Sequence, residues 1–255
     1  MSSSRLLTAL VILTLAVCAE QAPATSMLMT KDGYCQNNIA RAQSLGHDVT
    51  EEWLEAIEQM SQAELAPYGV VFVSPRLSTQ AFNTLRSAVA DGGSLQQYVA
   101  SGGILVLNVA ANAGNQNDVA PGGVDYQATG PHDVETFLTP GHPYITGAGY
   151  GGYSLVESDF DYWGHTDHGH LTSLPGGATS IIGNVDGVSL AHFEYGSGDV
   201  LVGTLTIGWA EGGEARGKAQ YNMIQYAAAL VPEPSTIGLL TVGLLILTKR
   251  RRKAA

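Results

Sequence analysis

A chain of 255 residues, 45% hydrophobic and 14% charged, can bury the core of one domain, and its 31 glycines follow no strict fibrous period. It has 23 acidic and 12 basic residues, a net charge of −11; setting aside Arg5, Glu20, Glu233 and the five basic residues from Lys249 to Lys253 leaves 21 against six, near −15. Such a field repels nucleic acid and anionic polymers, and it suits a soluble extracellular protein or one that takes up cations.

The chain opens as a secretory signal peptide over residues 1–24. Arg5 supplies the positive n-region, Leu6 to Val17 the apolar core, and Ala22-Pro23-Ala24 an A-x-A cleavage site, with cleavage after Ala19 as the alternative. Leu15-Ala16-Val17-Cys18 has the outline of a lipoprotein box, from which the bulky Val17 departs. Removal of this segment leaves Cys35 as the single cysteine, which excludes an internal disulfide and a cysteine-based metal cluster.

Residues 25–230 form one domain whose first half alternates strands and helices. Asn37 or Asn38 caps a helix carrying Ile39, Ala42 and Leu45, and Gly46 ends it. After a short extended step at His47-Asp48-Val49, Thr50 is expected to cap a second helix with Glu51 and Glu52 in its first turn and Trp53, Ile57 and Met60 as its buried stripe. Val70-Val71-Phe72-Val73 and Ile104-Leu105-Val106-Leu107 are continuous apolar runs, as in strands covered on both faces. Between them Ser78 opens a helix with Phe82, Leu85 and Val89 inward, and Ser94-Leu95-Gln96-Gln97 reads as a capping box.

From Ala110 to Thr179 Gly, Asn, Asp, His and Tyr dominate without hydrophobic period, so long loops and short elements are expected. Regular structure returns with Ser180-Ile181-Ile182, and Val188 to Tyr195 and Val200 to Ile207 form an antiparallel hairpin around Gly196-Ser197-Gly198-Asp199. Ala219, Met223, Ala227 and Leu230 then share one face of a closing helix. These units predict an α/β fold: a mostly parallel, flavodoxin-like sheet with helices on both faces and an added C-terminal antiparallel hairpin.

The densest chemistry lies in residues 159–170, where three His and three Asp occur within twelve residues. His165, Asp167, His168 and His170 are candidate ligands for a divalent metal, which His132, Asp133 or His142 would complete. Interleaved aromatic residues, Tyr144, Tyr150, Tyr153, Tyr162 and Trp163, are candidates for stacking on sugar faces; otherwise they cover the loop-bearing end of the sheet.

Four phrases, Leu45-Gly46-His47-Asp48-Val49-Thr50, Tyr98-Val99-Ala100-Ser101-Gly102-Gly103, Gly141-His142-Pro143-Tyr144-Ile145-Thr146-Gly147 and Tyr195-Gly196-Ser197-Gly198-Asp199-Val200, together resemble the class I glutamine amidotransferase-like superfamily, particularly its trehalose-utilisation-type branch. Its enzymes use a Cys after a central strand and a later His-x-Glu pair. Here Ala110-Ala111-Asn112 follows the strand with no Cys, so His192-Phe193-Glu194 has no nucleophile to activate. Cys35 has no partner placed beside it, and no catalytic residue is assigned.

Residues 231–255 form the third segment: Val231-Pro232-Glu233-Pro234-Ser235, an uncharged apolar run from Ile237 to Leu247, then Lys249 to Lys253. This order resembles the PEP-CTERM sorting signal of Gram-negative bacteria, with Pro232, Glu233 and Pro234 as the sorting motif. The resemblance implies export by the Sec translocon, transient inner-membrane anchoring, cutting near Pro-Glu-Pro by an exosortase-type enzyme, and delivery to the cell surface or extracellular matrix. The eleven apolar residues make a short transmembrane helix, since about twenty span the hydrocarbon. The basic stop holds the tail on the cytoplasmic side. The favoured reading is thus a secreted, exosortase-processed envelope or matrix protein, non-enzymatic and binding exopolysaccharide, with no cofactor. The alternative is a metal-dependent hydrolase built on the His-rich stretch 159–170.

Overall fold

The computed structural model describes residues 24–31, 36–73, 78–110, 114–132, 135–160, 166–209 and 214–232. Cys35, Asp133, Tyr162, Trp163, His165 and the sorting segment from Glu233 onward lie outside them, as does the signal peptide up to Pro23.

Strands β1 (Ser26–Thr30), β2 (Asp48–Glu52), β3 (Val70–Val73), β4 (Ile104–Asn108) and β11 (Gly198–Gly203) form the parallel part of the sheet, in the order β2-β1-β3-β4-β11. Its register is continuous, with Phe72 opposite Val106 and Val106 opposite Leu201. Helices α1 (Gln36–Ser44) and α7 (Glu214–Leu230) cover one face, against Met27, Met29, Phe72, Val106 and Leu201. Helices α2 (Leu54–Gln59), α3 (Gln62–Leu65), α4 (Thr79–Val89) and α5 (Ser94–Ala100) cover the other, against Leu28, Val71, Val73, Leu105 and Val202. Strands alternate their side chains between faces, so a sheet covered twice needs an unbroken apolar run, and β3 and β4 supply one.

Beyond β11 all pairing is antiparallel. The path continues through β10 (Val188–Tyr195), β8 (Asp167–Thr172), β6 (Val124–His132) and β5 (Gln116–Ala120), while β9 (Thr179–Gly183) pairs with β10 and with β7 (Thr136–Phe137). The expected mostly parallel, flavodoxin-like sheet is therefore corrected to a mixed one. The hairpin is present, with His192 opposite Leu201, but it joins two sub-sheets and does not end the fold. Gly196 turns it at φ +64°, and a Cβ there would meet the Ala100 backbone at 2.6 Å.

Local expectations differ in further places. The first helix already runs from Gln36, so Asn37 and Asn38 lie within it, and the stretch 110–179, expected as long loops and short elements, carries β5 to β8. Thr50, Glu51 and Glu52 belong to β2, paired with β1, so the following helix begins only at Leu54 and Trp53 is exposed; Ile57 is buried as predicted. Ser94 lies inside α5 after a Gly93 cap, and its hydroxyl donates to the Ile57 carbonyl, 3.1 Å away. Strand β1 has no counterpart among the predicted elements, although three of its side chains, Met27, Leu28 and Met29, are wholly buried.

Candidate functional site

All parallel strands end at one edge. Past the end of β11, Leu205 bridges to Asp167, and the Thr206 amide donates to the Thr166 carbonyl at 2.8 Å. Asp167 is thereby carried to the carboxyl edge of the sheet, where open α/β sheets bind ligands.

Asp167 is fully buried and central to a polar cluster. It accepts from Ser189 Oγ at 2.8 Å and from the Asn184 side-chain amide, and its Oδ1 lies 2.8 Å from His132 Nδ1. The other His132 nitrogen, Nε2, is 2.9 Å from Asp186 Oδ2, and Asp186 is partly open to solvent. Asn184 also approaches His132 and accepts from the Asp186 and Gly187 amides, at 2.7 and 3.0 Å. Glu135, with zero exposure, faces Asp167 and Ser189, yet among the described residues neither of its oxygens makes a hydrogen bond of good geometry. Burial first, then the neighbouring Asp167 carboxylate, pushes its carboxyl up to about 9, so it is protonated at neutral pH. The arrangement seals a protonated carboxyl beside Asp167, and His132 links Asp167 to Asp186 at the surface.

Of the predicted metal ligands that the structure describes, His132 meets Asp167, while His168 and His170 do not join them. Along β8 burial alternates, with Asp167, Gly169 and Leu171 inward and His168 and His170 on the opposite side. His170 packs its ring against Gly187, where a Cβ would fall 2.8 Å from His170 Cδ2. Asp167 is already engaged by His132, Asn184 and Ser189. Among the described residues no group of three or more His, Cys, Asp or Glu side chains is arranged to hold a metal ion. His142, a proposed additional ligand, lies elsewhere, capping helix α6 (Pro143–Thr146) by accepting from the Tyr144 amide at 3.2 Å. Its burial and then the nearby His192 lower its pKa to about 4, so it stays neutral.

His192 is not oriented toward Glu194. Its Nε2 is 2.9 Å from Asp199 Oδ1, and its Nδ1 lies 3.2 Å from the Tyr226 hydroxyl. Both nitrogens are therefore occupied by neighbours on β11 and α7, as in a structural cross-tie. The His142, His192 and Tyr226 rings meet edge to face at centroid distances of 5.3 to 5.8 Å.

The aromatic candidates divide in the same manner. Tyr144 and Tyr150 are core rings, at 0% and 8% exposure, and the Tyr144 hydroxyl donates to the Ala219 carbonyl. They are thus withdrawn from any surface platform. Tyr153 is exposed and meets Tyr221 of α7 edge to face at 4.9 Å. Asn222 fixes this loop, accepting from the Tyr153 amide at 2.8 Å and donating to the Tyr144 and Tyr153 carbonyls. Glu135, Ser189, Asn184 and Tyr221 were missed at the level of sequence, since nothing local marks them; only chain reversal brings them to their partners.

Comparison with known families decides the role of the tail. Residues 230–253 carry a PEP-CTERM protein-sorting motif. The motif implies exosortase processing and export to the cell surface or extracellular space. The match begins on the last residue of α7. Among the described residues no helix is long and apolar enough to cross a membrane, and the apolar run of the tail lies outside them. No curated protein sequence matches the chain. In fold it is similar to the cytoplasmic protein STM3548 from Salmonella typhimurium, with a TM-score of 0.51 and 13% identity over 79% of this chain and 98% of that one. An exo-beta-1,4-mannosidase from Opitutaceae bacterium strain TAV5 aligns with a TM-score of 0.41 and 12% identity, over 82% of this chain and 36% of its own. At 13% identity the likeness to STM3548 concerns the fold alone. The amidotransferase-like resemblance is not confirmed by these comparisons and rests on the sequence phrases.

Proposed function

We propose that this chain is an exosortase-processed protein of the envelope or extracellular matrix whose domain is a non-enzymatic binding module for exopolysaccharide. The observation that carries the reading is the sorting motif, which starts where the closing helix ends, so processing there releases the α/β domain whole. For ligand binding, the support is the exposed Tyr153 ring beside Tyr221, held on α7 by Asn222. Two surface rings set edge to face, one of them exposed, suit stacking on a sugar face. The buried pair of carboxyls does not compete with this role, because both are sealed and one is held neutral.

Tyr153→Ala is the direct test, read by retention of the mature domain on the host's own exopolysaccharide. Retention is expected to fall by about tenfold, the loss of roughly 1.4 kcal/mol of ring contact. Retention equal to that of the unsubstituted protein would end the polysaccharide reading.

A further inference from the structure

Both ends of the folded domain leave from a single edge, opposite the one that carries Asp167. Ala24 and Thr25, just before β1, and Val231 and Pro232, just after α7, line one groove of about 480 Å³. Its other walls are the turns that lead into β3 and β4, Ala66 to Gly69 and Ser101 to Gly103, together with Ser26, Tyr98 and Ala228. In a chain of net charge −11, none of the side chains lining this groove carries a charge at neutral pH.

The exit of the chain is fastened there. The Val231 amide donates to the Ala228 carbonyl at 3.2 Å, and the Val231 methyls sit 3.0 Å from where a Cβ on Gly69 would lie, so glycine is what admits them. Pro232 is the next residue, and Glu233 and Pro234 follow with no intervening linker. A residue extends the chain by at most about 3.6 Å, so a bond cut within Pro-Glu-Pro lies within roughly 11 Å of Val231. An enzyme closing on that bond meets the rim of the groove.

We propose that this uncharged groove is the surface on which the membrane-embedded processing enzyme docks while it cuts at Pro-Glu-Pro. The proposal rests on the sorting reading and names the partner surface for it. The groove that the enzyme meets is lined by uncharged side chains, and the exposed Asp48, opposite Ser26 at the start of β2, stands outside that lining. The carboxyl edge with Asp167, and the loops beside it, consequently points away from the membrane during processing.

The test is the rate of conversion of full-length precursor to the processed form in a host that expresses the enzyme. Ala66→Glu combined with Ser101→Glu places two carboxylates on exposed rim positions, and is expected to slow conversion by about tenfold or more because the contact must desolvate them. Val185→Glu, an exposed position on the far loop after β9, is expected to leave the rate unchanged. Ten Gly and Ser residues inserted between Val231 and Pro232 move the cut site off the edge and are expected to restore the rate of the rim variant. A rim variant converted at the normal rate, or one still slow with the insertion, overturns the docking surface. Failure of the sorting reading has a different signature: no conversion of the unsubstituted chain, or unchanged conversion of Glu233→Ala/Pro234→Ala.

Discussion

The parallel and antiparallel halves of the sheet share one hydrogen-bonded path but are held by different physics. In the parallel half, β3 and β4 are buried along their whole length, and α1 and α7 on one side and α2 to α5 on the other cover them with aliphatic side chains. In the antiparallel half, Tyr126, Leu171, Leu190 and Phe193 also pack into the core, but Asp167, Glu135 and Ser189 are as deeply buried as Leu105 and are held by side-chain hydrogen bonds and polar neighbours. The contrast shows what covers each half. Helices supply hydrophobic stripes, whereas the loops that cover β8 and β10 supply polar groups that must satisfy one another.

The largest effect is expected from removing the centre of the polar half. Asp167→Ala leaves His132, Asn184 and Ser189 without their acceptor and is expected to cost about 3–5 kcal/mol, measured by urea unfolding. A loss under about 1 kcal/mol would mean that water satisfies the partners, and the contrast between the halves would fail. Leu105→Ala, wholly buried at the centre of the parallel half, is expected to cost about 3 kcal/mol by cavity formation and to do so equally at pH 5 and pH 8.

The pH dependence sharpens the comparison with a smaller effect. Glu135 is raised from 4.5 to about 9 in the fold, so between those values the unfolded chain binds fewer protons than the folded one. Its contribution is therefore fully present below pH 4.5 and is lost as pH rises toward 9. His142 is lowered from 6.5 to about 4, and its contribution is present above 6.5 and lost as pH falls toward 4. Glu135→Gln is expected to flatten the alkaline limb of the stability profile and leave the acid limb in place. An alkaline limb that persists in Glu135→Gln would show that another group carries it.

Much of the parallel half is legible in sequence because its determinants are local. Val70 to Val73 and Ile104 to Leu107 are unbroken apolar runs, Ser78 caps α4 by accepting from the Ala81 amide at 3.3 Å, and Phe82, Leu85 and Val89 follow at helical spacing. Failures there arise where tertiary pairing overrides propensity: Thr50, Glu51 and Glu52 look like a helix start, but β1 recruits them as an edge strand. The antiparallel half is less legible. Its strands β5, β6 and β8 read Gln-Asn-Asp-Val-Ala, Val-Asp-Tyr-Gln-Ala-Thr-Gly-Pro-His and Asp-His-Gly-His-Leu-Thr, polar sequences that resemble loops because their buried positions include polar groups satisfied only by distant partners.

The candidate site divides along the same line. The sorting motif depends on residue order alone, so Pro232, Glu233, Pro234, the apolar run and the basic stop are readable without any fold. The cluster of His and Asp at 165–170 is equally conspicuous, yet a strand sends alternate residues to opposite faces, and that separates Asp167 from His168 and His170. Tyr144 and Tyr150 are chemically indistinguishable from Tyr153 in sequence; α6, α7 and Asn222 bury the first two and leave the third at the surface. By itself the sequence determined the acidic character, the address carried by the tail and the apolar strands of the parallel half, all of which depend on composition or near neighbours. Only the tertiary structure decided that the sheet is mixed, that Glu135 meets Asp167, and that both ends of the domain line one uncharged groove, because each of these depends on contacts between residues far apart in the chain.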